Sequence, residues 1–541
     1  MRQRGLVAGY RRIPQEGVPT VAELLKPIAE RRGAGPALID AEGATSWVEL
    51  DERTNRLVSG LRGLGVADHD TIALLVPNRR EFFEVFCAAT HGRWIVVPVN
   101  WHWVAEELAY VIGNSGATTV IVDERFLDVA GAARLDERAA ACDRWIVVGS
   151  SSGADGYERY ESVIEAGAPD EPVDQGMGGP MFYTSGTTGF PKGVRTTLAD
   201  TTMPPGVMSL IAASFTEMLG LPADGVTFLN GPAYHSAQWV FSMFPLLSGS
   251  TVVMTDKFDA AESLRIIDEH GVTNTHFVPT QMLRLLRLPD DVRGSFDGSS
   301  LRAVFHGAAP CPAETKRRML EWLGPVVHEY YGGTEGGFIS MITGAEWPDH
   351  QGSLGRALPM MDVAVIDDDG NDCGPGRPGQ IWFRSKMGAD FEYHDDPEKT
   401  AAAHRTDGYG TLGDIGYLDH DGYLFLSDRK IDMIISGGVN IYPAEIEGVL
   451  AGHPVVADAA VFGIPDDEMG EQVKAVVELV DGAEADDELE AELIAFVREH
   501  LAGYKAPKSI DIAEALPRHP TGKLYKRLLR DPYWEGRSRN I

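Results

Sequence analysis

The sequence predicts an α/β protein with a large N-terminal domain of layered sheets, a small β subdomain and a small α+β C-terminal domain. Strand-like runs alternate with amphipathic helical stretches over most of the length, as they do in α/β layers. The pattern changes to strand, turn, strand near Met361 and changes again after Asp428. The chain has 541 residues, whereas a single hydrophobic core stops growing at roughly 250–300 residues.

Strands and helices alternate in the N-terminal part of the chain. The stretches Val104–Ser115 and Ala261–His270 have the period of amphipathic helices. Strands that are joined through helices pair in parallel, so we expect largely parallel sheets with helices on their faces. The predicted buried strands are Thr71–Pro77, Thr118–Asp123, Arg144–Gly149, Thr251–Asp256 and Leu301–Pro310.

Two further units follow. Residues Met361–Arg384 are rich in Gly, Pro and Asp between two apolar runs, which predicts a β-hairpin subdomain. Beyond it, Val455–Phe462 and Val473–Val480 have the character of strands, and Ala485–Leu501 has the period of a helix. We place the boundary at Asp428–Asp432, so that residues 1–428 form the N-terminal domain and residues 429–541 the C-terminal domain.

Composition and charge exclude several classes of partner. The net charge of −32, from 48 basic and 80 acidic residues, repels nucleic acid and anionic lipid. No apolar run reaches the ~18 residues of a membrane span, and the apolar centre of the basic N-terminus is too short for a signal peptide. The four cysteines form no CxxC pair, which favours a reducing compartment. We therefore expect a cytoplasmic protein without a nucleic-acid partner or integral membrane contact.

The segment YTSGTTGFPKGV, Tyr183–Val194, has the chemistry of a phosphate-binding loop. Its three glycines let backbone amides approach an anion, its four Ser and Thr hydroxyls donate hydrogen bonds, and Lys192 supplies a positive charge. The pattern is not that of a Walker A loop, because Lys192 follows a proline and precedes a glycine. A polar surface loop is the alternative for this segment taken alone.

Five further motifs follow the loop in order. They are HGAAP (His306–Pro310), YYGGTE (Tyr330–Glu335), LGDIG (Leu412–Gly416), DRKIDMIISGGVNIYPAEIE (Asp428–Glu447) and LPRHPTGK (Leu516–Lys523). Together with the loop they closely resemble the motifs of the adenylate-forming superfamily, in particular those of its fatty acyl-CoA synthetases. The resemblance implies a large N-terminal domain and a small, mobile C-terminal domain that carries a catalytic lysine.

The resemblance implies ATP as a substrate, with Mg²⁺ held by Glu335 and Thr184. It also implies catalytic roles for Lys523, Glu335, Thr184 and His235, with Lys523 at the reacting carboxylate and α-phosphate. Asp414 and Arg429 would hold the ribose hydroxyls. The full set of ATP- and AMP-binding candidates is Thr184, Ser185, Gly186, Thr187, Thr188, Lys192, Gly307, Ala308, Ala309, Glu329, Tyr330, Tyr331, Gly332, Thr334, Asp414, Arg429 and Lys523.

The same resemblance implies coenzyme A as the acceptor of the acyl group. Glycines suit the wall of a narrow tunnel for the pantetheine arm, because a side chain would fill it. Relatives carry Asp or Lys at the hinge position where this chain has Ile431, which leaves the identity of the pivot open. The coenzyme A candidates are Ser436, Gly437, Gly438, Tyr504, Lys505 and Lys508.

The acid is expected to be a small-molecule carboxylic acid with a hydrophobic body. No acidic residue lies at Tyr234–Trp239 to pair a substrate ammonium, which argues against an amino acid. The pocket candidates are His235, Trp239, Gly332 and Gly333, whose small glycines leave room for a medium- or long-chain fatty acid or a ring-bearing acid. An aryl acid stays open. His235 either gates the thiol path, as the resemblance implies, or packs locally.

Several alternatives remain at this point. A fatty acyl-AMP ligase would deliver its product to a carrier protein, but no insertion of the kind found in such enzymes is evident near Asp428. A non-catalytic relative would be expected to lack Lys523 or Glu335, and both are present. A luciferase-like oxygenase would need a dedicated luciferin, which nothing in the sequence demands. A homodimer is compatible with the resemblance.

Overall fold

The computed structural model describes residues 24–150, 156–184, 191–309, 311–367, 369–429, 432–436, 439–466, 469–480, 482–483, 485–486, 488–501, 503–518 and 524–535. Its helices are α1 (Lys26–Arg32), α2 (Trp47–Gly63), α3 (Arg80–Gly92), α4 (Ala105–Ser115), α5 (Leu127–Arg134), α6 (Tyr160–Ala166), α7 (Gly206–Met218), α8 (Ser236–Ser248), α9 (Ala260–His270), α10 (Pro279–Leu286), α11 (Asp290–Ser295), α12 (Ala313–Leu323), α13 (Pro397–Ala402), α14 (Pro443–Leu450), α15 (Leu489–His500) and α16 (Lys526–Arg530). Within the described residues, none of them is both long and apolar enough to cross a membrane.

The strands are numbered in the same way along the chain. They are β1 (Pro36–Asp40), β2 (Gly43–Ser46), β3 (Thr71–Leu75), β4 (Ile95–Pro98), β5 (Ala117–Asp123), β6 (Arg144–Val148), β7 (Glu158–Arg159), β8 (Gly179–Pro180), β9 (Phe182–Thr184), β10 (Lys192–Thr196), β11 (Val226–Leu229), β12 (Thr251–Met254), β13 (Asn274–Phe277), β14 (Ala303–His306), β15 (Val327–Gly333), β16 (Gly337–Ile342), β17 (Arg356–Ala357), β18 (Met361–Ile366), β19 (Gly379–Ser385), β20 (Phe391–Tyr393), β21 (Asp414–Leu418), β22 (Leu424–Arg429), β23 (Ile434–Ser436), β24 (Val439–Ile441), β25 (Val456–Asp466), β26 (Gly470–Leu479) and β27 (Ser509–Ala513).

Two large sheets dominate the N-terminal part, and the predicted α/β architecture is confirmed. One sheet has the order β7-β6-β5-β3-β4-β8, and each neighbouring pair is parallel. The other has the order β17-β16-β15-β14-β13-β11-β12-β1-β2, with a parallel centre from β15 to β1 and antiparallel pairs at both ends. All five strands predicted for this part of the chain are present.

Helices pack between the two large sheets and join them through one core. The rings of Phe86 on α3 and Trp239 on α8 lie 5.4 Å apart, centroid to centroid, and both side chains are buried. This core also contains Leu74 of β3 and Val252 of β12, one residue from each sheet. Burial of such apolar surface is the main force that fixes the sheets relative to each other.

The predicted β-hairpin subdomain is present as β18 and β19, which pair antiparallel from Met361 with Ser385 to Ile366 with Gln380. β21 and β22 extend it to a four-stranded sheet. A separate three-stranded sheet has the order β20-β10-β9. It contains Thr184 and Lys192, which pair with each other across β9 and β10.

The C-terminal part has its own sheet and core. β22 ends the four-stranded sheet at Arg429, and β23 begins a five-stranded sheet at Ile434, so the proposed domain boundary falls where the chain changes sheets. The helix predicted over Ala485–Leu501 begins later, at Leu489, because the Asp486 carboxylate accepts the Leu489 backbone N–H and ends the preceding turn.

Candidate active site

A cavity of about 2090 Å³ lies at the carboxyl-terminal edge of the nine-stranded sheet. β14 and β15 are parallel there, so the segments that follow them emerge at the same edge, where open α/β sheets bind their ligands. The cavity wall also receives residues from α7, α8 and the four-stranded sheet. Nine of the predicted site residues line it, namely Thr184, His235, Ala308, Tyr330, Gly332, Gly333, Thr334, Glu335 and Asp414.

Two glycines in the predicted motifs are required by close packing at this edge. A Cβ atom at Gly307 would lie 2.7 Å from the ring of Tyr330, and one at Gly332 would lie 1.9 Å from the Gly337 carbonyl oxygen. Ala308, which follows Gly307, has a φ of 65°, a left-handed conformation that few non-glycine residues adopt. The backbone at the end of β14 is therefore held in a shape that side chains would disturb.

Asp414 is anchored at the start of β21. The Tyr331 hydroxyl donates to Asp414 Oδ2 across 2.8 Å, and Asp414 is 4% exposed while lining the cavity. In the β21–β22 ladder Asp414 pairs with Arg429, so the two residues predicted to hold the ribose are direct neighbours across the strands. A carboxylate held in this way is positioned to accept hydrogen bonds from vicinal hydroxyls.

Glu335 reaches the cavity from the turn between β15 and β16. The Tyr393 hydroxyl donates to Glu335 Oε1 across 3.1 Å, and Thr184 lines the same cavity. Within the described residues, no cluster of three or more His, Cys, Asp or Glu side chains could hold a metal ion. The Glu335 carboxylate and the Thr184 hydroxyl are oxygen ligands, which suit Mg²⁺, a cation that proteins bind through one or two carboxylates and the phosphates of a nucleotide.

A buried histidine fixes the floor of the cavity. His276 Nε2 lies 3.0 Å from the Tyr330 hydroxyl and His276 Nδ1 lies 3.1 Å from Gln238 Nε2. Burial lowers the pKa of His276 to about 3, so the ring is neutral at physiological pH. It therefore orients Tyr330 by hydrogen bonding rather than by charge. No local sequence pattern predicts this role, because β13 places His276 beside Tyr330 only after folding.

His235 lies at the start of α8 and lines the cavity next to Tyr234, with ring centroids 4.3 Å apart. The helix is tied to the Tyr330–Glu335 motif, because Ser236 Oγ lies 2.9 Å from Thr334 Oγ1. His235 therefore lines the same cavity as the predicted nucleotide residues Thr334 and Glu335. This position is compatible with the predicted gate.

The prediction that Trp239 lines the acyl pocket is not supported. Its side chain is 1% exposed and is packed between Phe86 and Phe182, with ring centroids 5.4 and 5.8 Å away. Ser236, Val240 and Phe244 line the cavity from one face of α8, because residues four apart share a face, whereas Trp239 lies about 100° around the helix from Val240 and packs in the core between the sheets. The residue stabilises the helix that presents His235 but does not contact the cavity.

Glu329 likewise lies beneath the site rather than in it. Its carboxylate forms a buried ion pair with Lys316 Nζ at 2.7 Å, and burial raises the pKa of Glu329 while burial lowers the pKa of Lys316. Strand alternation explains this, because Glu329 and Tyr330 point to opposite faces of β15. Of the candidates for ATP binding whose side chains are described, Lys192, Gly307, Ala309, Glu329 and Tyr331 do not line the cavity.

The phosphate loop begins and ends in paired strands. Thr184 of β9 pairs with Lys192 of β10, and Lys192 lines a second, smaller cavity of about 290 Å³ together with Tyr393. The remaining loop candidates, Ser185, Gly186, Thr187 and Thr188, lie outside the described residues.

Part of the cavity wall comes from the C-terminal unit. Arg518 and Tyr525 line it, and in the sequence they flank Lys523. Arg287 Nη2 donates to the Ala457 carbonyl oxygen across 3.2 Å and so connects the two parts of the chain. Lys523 itself lies outside the described residues, as do Ile431, Gly437 and Gly438.

The described coenzyme A candidates do not line the cavity in this arrangement. Ser436 ends β23, and Tyr504 is 55% exposed. Lys505 Nζ contacts both carboxylate oxygens of Glu445 at 2.7 Å, whereas Lys508 donates its backbone N–H to Val473.

The apolar residues of α7 form a part of the cavity wall that was not predicted from the sequence. This helix follows Pro204 and Pro205, and its apolar residues repeat with helical period, which was the available signal. Apolar residues of the hairpin subdomain, of the segments next to it and of β20 also line the cavity. The lining side chains from α7 and from these elements are Val207, Leu210, Ile211, Phe215, Met218, Leu358, Met360, Met361, Phe383, Met387 and Phe391.

Comparisons with known proteins agree with this geometry. Residues 25–389 match the family model of AMP-binding enzymes, and residues 445–523 match that of the AMP-binding enzyme C-terminal domain. The chain is similar to ATP-bound MatB from Rhodopseudomonas palustris, with a TM-score of 0.80, 27% identity and coverage of 95% of this chain and 99% of that one.

Two curated relatives match almost the whole chain. A long-chain-fatty-acid–CoA ligase of Mycobacterium tuberculosis is 34% identical over 90% of this chain and 93% of its own length. A fatty acid–[acyl-carrier-protein] ligase of Streptomyces coeruleorubidus is 30% identical over 95% of this chain and 96% of its own length. The chain therefore belongs to the AMP-binding enzyme family, within the adenylate-forming superfamily, and is an AMP-forming acid–thiol ligase.

Proposed function

We propose that this chain joins a hydrophobic carboxylic acid to coenzyme A through an acyl-adenylate, releasing pyrophosphate and AMP. The observation that carries the proposal is the composition of the large cavity. One part of its wall is polar and contains Thr334, Glu335 and Asp414, whereas another part is apolar and contains Ile211 and Phe215. A nucleotide at the polar wall and an acyl group at the apolar wall would meet beside His235.

The volume and lining support a large acid. Typical small-molecule pockets measure roughly 300–1,000 Å³, whereas this cavity of about 2090 Å³ has room for a nucleotide and an extended or bulky acyl group. Flexible methionines, Met218, Met360 and Met361, contribute to its apolar wall and adapt to ligands of different shape. We propose a medium- or long-chain fatty acid or a ring-bearing acid.

In the first half-reaction a carboxylate oxygen bonds to the α-phosphorus, the bond to the β-phosphate breaks, and pyrophosphate leaves. The residues of this chain position the reactants and neutralise their charge. Asp414 accepts hydrogen bonds from the ribose hydroxyls, Lys192 contacts phosphate, and Lys523 contacts the reacting carboxylate and the α-phosphate. Thr184 and Glu335 would hold Mg²⁺, which when bound screens the phosphate charges.

In the second half-reaction the thiol attacks the acyl carbon, and AMP leaves with the electrons of the mixed anhydride bond. Lys523 has no task in this step, so its domain is free to turn away and bring Gly437 and Gly438 to the site. The proposed path of the thiol passes His235. This division explains why a single chain holds Lys523 and the coenzyme A candidates on the same movable unit.

A carrier protein is the second candidate for the acceptor. The observation that favours it is the 30% identity to a fatty acid–[acyl-carrier-protein] ligase over nearly the whole length of both chains. The two candidates share the first half-reaction and differ only in what presents the thiol, so the cavity described above does not distinguish them.

Pyrophosphate release tests the proposal. We would measure it with ATP and Mg²⁺ across acetate, medium-chain, long-chain, aryl and steroid acids, each with and without coenzyme A. Fast turnover that requires coenzyme A and a hydrophobic acid is the expected result. Release of about one equivalent per enzyme, whatever the coenzyme A concentration, would instead indicate a carrier protein, and no release with any acid would contradict the proposal.

A further inference from the structure

The side-chain amide of Asn78 connects the two large sheets next to the cavity. Asn78 follows β3 of the six-stranded sheet and is 3% exposed. Its Nδ2 donates to the carbonyl oxygens of Gly231 and Thr255 across 2.8 and 2.9 Å, and its Oδ1 accepts the Ala233 backbone N–H at 2.9 Å. Both donor hydrogens and the acceptor of the amide are therefore used by backbone groups that lie 153 to 177 positions away in the sequence.

These hydrogen bonds fix the segment that leads into α8. Gly231 and Ala233 lie between β11 and α8. The Pro232 carbonyl oxygen accepts the His235 backbone N–H at 3.1 Å, which closes a turn, and the amide contacts the backbone on both sides of Pro232. From the other side the segment packs against α8, since a Cβ atom at Gly231 would lie 2.4 Å from Gln238 Nε2.

The turn carries residues of the cavity wall, although Asn78 does not. Pro232, Tyr234 and His235 line the cavity, and the His235 Nε2 atom is buried. Buried backbone N–H and carbonyl groups need hydrogen-bond partners. Without the amide, the backbone of the turn would have to move to find new partners, and His235 would move with it.

We propose that Asn78 is a positioning residue for the second half-reaction, because it sets the place of His235 on the path of the thiol. The inference rests on the proposed function, in which the thiol passes His235. Asparagine suits this task because its amide offers two donor hydrogens and an acceptor in one plane. A carboxylate of the same shape would face two carbonyl oxygens with a negative charge, so Asn78→Asp replaces attraction by repulsion at both.

Chemical modification tests the position of His235 without any turnover. We would treat the full chain with diethyl pyrocarbonate, which acylates accessible neutral imidazoles, and measure the rate at each histidine by peptide mass spectrometry. Asn78→Asp should raise the rate at His235 by about threefold or more, because the turn loses two hydrogen bonds. His91 and His306, which are both 0% exposed, should keep their rates and so report on general loosening of the fold.

The two half-reactions test the effect on chemistry. Asn78→Asp should lower thioester formation from supplied acyl-adenylate and coenzyme A by about tenfold or more, and should leave acid-dependent exchange of pyrophosphate into ATP within about threefold. In a double-mutant cycle, Asn78→Asp together with His235→Ala should lose no more than the larger single loss, because both act through one side chain. Asn78→Ser removes the amide without adding a charge and should act in the same direction.

Asn274→Ser is the matched control. Asn274 is 1% exposed, donates to Thr227 Oγ1 across 3.0 Å, and lies at the opposite end of β13 from the cavity, which it does not line. Its substitution also removes a buried amide, but it should leave the ratio of the two half-reactions and the modification of His235 unchanged.

The outcomes separate this inference from the proposed function. Modification of His235 that Asn78→Asp leaves unchanged, or raises together with that of His91 and His306, would overturn the inference. Additive losses in the double-mutant cycle would also overturn it, because they would show that Asn78 acts by a route other than His235. If the unsubstituted chain formed no thioester with coenzyme A, the proposed function would fail, and the modification rates would still decide whether Asn78 positions His235.

Discussion

Tyr393 donates its hydroxyl to Glu335 across 3.1 Å and at the same time pairs through its backbone with Val194, two residues after Lys192. One residue therefore connects the carboxylate proposed to hold magnesium with the strand that ends the phosphate loop. The partner of a metal-binding carboxylate fixes its orientation, so the magnesium requirement should depend on Tyr393.

Tyr393→Phe should raise the magnesium concentration for half-maximal activity by about tenfold, because the Glu335 carboxylate loses the donor that orients it. Magnesium titrations of pyrophosphate release measure this shift. Tyr409→Phe, which leaves the ring that packs under Arg384 in place, is the matched control. An unchanged magnesium requirement in Tyr393→Phe would show that this hydrogen bond does not orient the ligand.

Asp414→Asn should raise the KM for ATP by about tenfold or more, because an amide is a weaker acceptor for the ribose hydroxyls than a carboxylate. The same variant should discriminate less between ATP and 2′-deoxy-ATP, which tests the ribose contact specifically. Tyr331→Phe removes the donor to Asp414 and should have the same effect in smaller measure. If Asp414→Asn still discriminated fully between ATP and 2′-deoxy-ATP, Asp414 would not be the residue that binds the ribose hydroxyls.

Ile211→Trp should reduce kcat/KM for the best hydrophobic acid by about tenfold and leave short acids within about threefold, because the larger side chain fills the apolar wall. Ala213 lies on the same helix, is exposed and does not line the cavity, so Ala213→Trp is the matched control. Equal losses for short and long acids would contradict the assignment of this wall to the acyl group.

Lys316→Met should destabilise the N-terminal part by about 3–5 kcal/mol, because it leaves the Glu329 carboxylate buried without its partner. Burial already raises the pKa of Glu329, and loss of Lys316 raises it further. Because folding raises the pKa of Glu329, this group favours the folded state most at pH values below its unfolded pKa. That contribution to stability is lost as the pH rises through the folded pKa. The loss of melting temperature should therefore be small near pH 4.5 and grow towards pH 8.

The double variant Lys316→Met/Glu329→Gln is the control for this prediction. It removes both charges and should recover most of the melting temperature, since the cost arises from the unpaired charge. A deficit that is equal at all pH values, or one that the double variant does not relieve, would show that Lys316 acts through packing, for example beneath the Trp347 ring.

The sequence allowed correct prediction of features that depend on local pattern. Alternating apolar runs predicted the strands. The motifs at the ends of β14 and β15 predicted the residues at one edge of the sheet, because parallel strands bring their ends together. Side-chain direction could not be predicted in the same way: Glu329 was expected at the nucleotide although it lies on the opposite face of β15 from Tyr330. Trp239 was misassigned for the same reason, since helix rotation decides which residues of α8 face the core.

Contacts between distant segments account for the features that were missed. Tyr393 reaches Glu335 and the strand of Lys192 through the pairing of β10 with β20, which joins residues almost two hundred positions apart. No local pattern marks such a meeting. His276 and residues of α7 also line the cavity through contacts between distant segments. Each belongs to a segment whose composition is ordinary for a buried strand or helix.

The Lys523→Ala variant tests whether the two half-reactions use different residues. We would measure the acid-dependent exchange of labelled pyrophosphate into ATP, and in parallel thioester formation from supplied acyl-adenylate and coenzyme A. We expect exchange to be abolished and thioester formation to be largely retained, because Lys523 serves only the step at the α-phosphate. Equal loss of both reactions would contradict this division and would indicate that Lys523 acts in both half-reactions.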